Sequence, residues 1–126
     1  MNSFMIYAAA ILVTITAGAH SILGERRLIA PLLGTSQAGP GILQYELARR
    51  ILRYAWHATS LTWIAVAAIL IIVDTLPPLP QGRLIVFIIG VSFLVMALIS
   101  IAISRGRHIG WPFLAAAGIA ALSALI

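Results

Sequence analysis

Four stretches of the chain, 4–23, 54–73, 84–103 and 109–126, contain no Asp, Glu, Lys or Arg. A helix that crosses a bilayer needs about 20 mostly apolar residues at about 1.5 Å of rise each, and each stretch meets that length or comes close. Hydrophobic residues make up 62% of the 126 residues and charged ones 9%, whereas globular domains carry about 25% charged residues. The expectation is an all-α integral membrane bundle of four transmembrane helices, forming one domain over 1–126. The last stretch is the shortest and is rich in Ala and Gly. Its Pro112 falls in the first turn, where a missing N–H costs nothing.

A cleavable signal peptide is the rival reading of the first stretch, because Ala17-Gly18-Ala19 has the small residues of a cleavage site. Met1-Asn2-Ser3-Phe4 offers no positive charge in front of it, so a retained span is expected.

All eight basic residues are arginine, and the acids are Glu25, Glu46 and Asp74. Four spans put the 24–53 and 104–108 loops on the same side. With their flanks these hold Arg26, Arg27, Arg49, Arg50, Arg53, Arg105 and Arg107, against Arg83 alone in the opposite turn TLPPLPQGR. The positive-inside rule then predicts both loops in the cytoplasm and both termini outside, as in a bacterial inner membrane. Such arginines meet the bilayer and its anionic lipids, so no nucleic-acid partner is expected. The absence of cysteine excludes disulfides, thiolate metal sites and cysteine nucleophiles.

The segment RRLIAPLLGTSQAGPG starts apolar and is expected to lie in the headgroup plane, with Pro31 interrupting any helix. Its second half is turn chemistry. Helical period resumes near Ile42: Glu46, Arg50, Arg53, His57 and Ser60 recur at spacings of 4, 3, 4 and 3, with Arg49 at the edge. These residues form one polar stripe. The second span should therefore extend outward as an amphipathic helix carrying a Glu46–Arg50 pair. Tyr54, Trp56, Trp63 and Trp111 read as aromatic-belt residues. Small residues at 8–10, 17–19 and 115–121 read as close-packing faces, for the bundle itself, a homo-oligomer or a larger membrane complex.

The first span ends in GAHSILGERR, and this stretch concentrates the functional question. His20, His57 and His108, with Glu25 and Glu46, all fall on the arginine-rich side at similar depth. Imidazoles from two antiparallel helices can share a transition-metal ion, so His20, His57, Glu25 and His108 are the candidate metal ligands. Ser21, Thr59 or Ser60 would hold the second ring nitrogen. In the haem version, two histidines ligate the iron and Arg50 and Arg53 meet the propionates. The arginines alone suggest a pocket for an anionic lipid or substrate. The structural alternative pairs Glu25 with an arginine of the second span and makes Gly24 a helix end or a point of close approach.

An enzyme is less favoured, with three carboxylates in total and Asp74 on the far side. His20 and Ser21 are adjacent and point about 100° apart, so they do not face one another, although His57 could act as a base across the helices. The length and four-span layout are similar to the small multidrug-resistance exporters. Those depend on a glutamate within the first span, and 4–19 holds no acid. The resemblance is one of architecture. The function expected is a non-catalytic accessory or scaffolding subunit packing through small-residue faces. The alternative is a cytoplasm-facing His/Glu/Arg cluster that binds a metal ion, less readily haem, or an anionic ligand, with a link to transport.

Overall fold

The structure, a computed structural model, describes residues 1–34, 45–77 and 80–126. Every regular element among them is helical: α1 (Ser3–Gly24), a π turn (Glu25–Ile29), α2 (Ala30–Gly34), α3 (Glu46–Thr75), α4 (Gly82–Ser104) and α5 (Trp111–Ser123). Three helical stretches are long and apolar enough to cross a membrane: Ser3–Gly34, Glu46–Thr75 and Gly82–Ser104. The fourth, α5, is apolar but has only 13 residues. Pro112 sits in its first turn, as its missing donor allows.

Several hydroxyls are satisfied within their own helix. Thr14, Thr16, Thr59, Thr62 and Ser92 each donate the side-chain hydroxyl to the carbonyl four residues back. That is the bond available to a hydroxyl on a helix with no water beside it. Asn2 caps α1 by accepting the Met5 N–H. At the far end of α4, Arg105 adopts a left-handed conformation (φ 52°) and the Gly106 N–H reaches back to the Ile101 carbonyl, a capping turn that closes the helix.

The helices pack in the order α3, α1, α5, α4, with only sparse contact between α3 and α4 closing the ring. Ile6, Val13, Leu70, Val86 and Phe93 fill the interior between small residues such as Ala9, Ala17, Ala97 and Ala121. The tightest crossing joins α4 to α5. A Cβ added at Gly118 would stand 2.8 Å from the Gly90 carbonyl oxygen, so backbone lies almost on backbone there. Large side chains such as Ile11, Ile15, Leu61, Leu84, Leu98 and Ile119 point outward, a surface that suits lipid and not water.

One end of the bundle is tied by Ser3 to Asp74, by the Asn2 N–H to the Ala124 carbonyl at 2.8 Å, and by Arg83 to the Leu125 carbonyl at 2.6 Å. Antiparallel packing places the His20, His57 and His108 regions at the other end.

One expectation changes: Pro31 does not interrupt the helix. Regular α1 ends at Gly24, one of the two roles expected of that residue, but the helical path goes on. The chain continues as a π turn in which the Ala30 N–H donates to the Glu25 carbonyl, five residues back. A proline ring normally clashes with the carbonyl four residues before it, and the wider turn displaces those carbonyls. Of the amphipathic extension, the helix from Glu46 onward is present. Its expected start at Ile42 and the GTSQAGPG turn lie outside the described residues.

Candidate functional site

At the end away from the termini, α1 and α3 face each other with their polar residues in register. His20 and Ser21 lie on α1, and His57 and Ser60 lie one helical turn apart on α3. Each histidine takes the other helix's serine: His20 Nδ1 lies 3.0 Å from Ser60 Oγ, and His57 Nδ1 lies 2.7 Å from Ser21 Oγ. Adjacent residues on one helix diverge by about 100°, and so His20 and Ser21 reach different positions on the partner.

The two pairs have different surroundings. His20 is enclosed by aromatics, stacked on Trp56 (ring centroids 4.1 Å apart, planes at 12°) and tilted against Trp63 at 5.1 Å. Ser60 beside it is buried. The Trp56 indole N–H donates to the His20 carbonyl at 3.1 Å, which fixes the stack. Gly24 makes that possible, since any Cβ there would collide with the Trp56 ring. Trp56 and Trp63, read as aromatic-belt residues, turn their rings on His20.

His57 has a carboxylate on its other nitrogen, with Nε2 lying 3.3 Å from Glu25 Oε2. Arg53 Nε donates to the opposite oxygen, Glu25 Oε1, at 3.1 Å. Because a carboxylate only accepts, neutral His57 carries its proton on Nε2 and leaves Nδ1 to accept from the Ser21 hydroxyl. The result is an ordered chain, Arg53–Glu25–His57–Ser21. Partial exposure screens the Arg53–Glu25 pair, which contributes at most about 1 kcal/mol; its role is to orient the carboxylate.

Farther out on α3, Glu46 accepts from Arg50 Nε at 2.9 Å and from Arg49 Nη2. The Arg50 hydrogen bond and then that of Arg49 hold the exposed Glu46 carboxyl below the usual carboxylate range. These groups border an open groove of about 460 Å³, which also touches Leu33, Arg53, Tyr54 and His57. Among the described residues the buried Nε of Arg49 finds no partner, and its Nη1 makes a long 3.5 Å contact to the Leu33 carbonyl. Arg26 and Arg27 stand exposed on the π turn nearby in sequence.

The candidate metal ligands fall as follows. His20, His57 and Glu25 come together at the α1–α3 contact, but both ring nitrogens of His57 already have protein partners. His108 turns toward the last turns of α4 and its own loop, with Nδ1 near Ser100 Oγ and accepting from the Gly110 N–H, both at 3.2 Å. Among the described residues no three His, Asp or Glu side chains are placed to hold a metal ion. Arg50 is engaged by Glu46 and Arg53 by Glu25. The glutamate–arginine pairing expected of a structural cluster is present. Ser21 and Ser60 do meet the ring nitrogens, while Thr59 bonds its own helix. The arginine groove was only partly legible, since Arg49 stood at the edge of the polar stripe.

Comparison with known protein families, with characterised proteins and with solved structures finds no match.

Proposed function

We propose that this chain is a four-span membrane protein, with both termini outside and its arginine-rich end in the cytoplasm, which binds an anionic headgroup in the groove at the start of α3. The observation that carries the reading is the groove itself. Arg49, Arg50 and Arg53 converge there with Glu46 as the lining carboxylate, beside an apolar edge from Leu33 and Tyr54. A phosphate-bearing amphiphile matches both halves: its charge meets guanidinium forks and its chain follows the apolar edge. Each arginine near an anionic membrane surface contributes about 1 kcal/mol of attraction. The accessory-subunit reading rests on apolar outer faces, which a bilayer covers equally well, and the groove is the more specific feature.

Native mass spectrometry of the detergent-purified protein, titrated with phosphatidylglycerol or phosphatidylcholine, tests this. Preferential retention of phosphatidylglycerol is expected, weakened about tenfold in Arg49→Gln/Arg50→Gln, a loss of about 1.4 kcal/mol. Equal retention of both lipids by both proteins would sink the proposal.

A further inference from the structure

The two His–Ser pairs form an internal comparison, and they are not equivalent. His20–Ser60 is a closed pair: the serine is buried, the imidazole lies against Trp56 and Trp63, and among the described residues its ring bonds only Ser60 Oγ. Ser21–His57 is open: His57 retains 36% of its side-chain exposure, and Glu25 fixes the ring from the opposite nitrogen. Serine, imidazole and carboxylate in a line, with the carboxylate oriented by a guanidinium, is the arrangement that activates a hydroxyl.

We propose that Ser21 is a nucleophile that takes the acyl group of a membrane-lipid ester. Position argues for the substrate class. Ser3 and Ser21 are 18 residues apart on one helix, about 27 Å at 1.5 Å per residue. That matches the roughly 30 Å hydrocarbon thickness of a bilayer. With Ser3 at one boundary, Ser21 lies at the other, where the ester carbonyls of glycerolipids meet the headgroups.

The step balances without an outside oxidant or reductant. Ser21 Oγ attacks the ester carbonyl carbon while its proton passes to His57 Nδ1. The ester C–O bond then breaks, and the leaving alkoxide takes that proton from His57, leaving acyl-Ser21. Water repeats the sequence and releases the carboxylic acid. Glu25, accepting from His57 Nε2, holds the ring and stabilises the imidazolium; Glu25 and Arg53 are positioning residues. The proposal does not depend on what the arginine groove binds.

The test is labelling of the full-length protein in lipid nanodiscs with a fluorescent fluorophosphonate, followed by peptide mapping. The expected result is one label, on Ser21, absent in Ser21→Ala and slowed at least tenfold in His57→Gln. Ser60→Ala should label like wild type, and Glu25→Asp should recover more of the rate than Glu25→Gln. Helical circular dichroism and gel filtration identify any variant that does not fold. In that event the wild-type and Ser60→Ala proteins decide alone. A wild-type protein that stays unlabelled, that labels elsewhere, or that labels equally fast in folded His57→Gln would overturn the nucleophile. It would leave phosphatidylglycerol binding, measured separately, untouched.

Discussion

At the scale of single residues, geometry turns on what is missing as much as on what is present. Gly24 lacks a side chain where the Trp56 ring lies, and that ring sets the depth of the α1–α3 contact by stacking on His20. Gly24→Ala forces an aromatic ring to shift in a close-packed contact, at a cost of about 1–3 kcal/mol. It should therefore lower the thermal midpoint in detergent and change the Trp emission. Both readouts unchanged would mean that the ring moves aside freely. Much of the polar cluster was legible in the sequence. Helical period put Glu46, Arg50, Arg53, His57 and Ser60 on one stripe, and four spans brought His20 and Glu25 to the same depth. Which atom bonds which was not legible, because exchange of partners between His20 and Ser21 depends on helix rotation, which apolar composition leaves open. The turn of the Trp56 ring onto His20 was hidden for the same reason. At the membrane boundary a tryptophan satisfies its N–H equally well with water or with a carbonyl on a neighbouring helix.

At the scale of elements, the apolar stretches marked α1, α3 and α4 because length and absence of charge are properties of sequence alone. The continuation of α1 through Pro31 was not marked, since a π turn has no composition of its own. Helix α5 depends on its neighbours: it is short, and its contact with α4 rests on two glycines facing each other. Gly118→Ala places a methyl against the Gly90 carbonyl, which as backbone gives way only if the helices separate. A loss of about 1–3 kcal/mol is expected, read as a lower midpoint on heating or in denaturing detergent. Gly18→Ala is the matched control. Its added methyl meets nothing within 4 Å, and alanine is the better helix former by about 1 kcal/mol, so that variant should hold or gain stability. Equal losses at both positions would remove the α4–α5 crossing as the special contact.

At the scale of the whole molecule, charge separates the two ends. The proposed orientation has a direct test, because the sequence contains no cysteine. Arg27→Cys and Arg107→Cys should react with a membrane-impermeant maleimide only after intact cells are opened, and Arg83→Cys before. All three reacting from the same side would refute the four-span arrangement. The loose fourth seam of the bundle has a mechanical meaning. Three of the four helix contacts are close and the α3–α4 contact is sparse, so the ring behaves as a folded strip with one unfastened edge. In a bilayer, lateral tension would part α3 from α4 first, while the run α3–α1–α5–α4 stays joined. The His57–Ser21 and His20–Ser60 bonds lie in the adjoining α1–α3 contact, so the polar cluster stays assembled while that edge gives way.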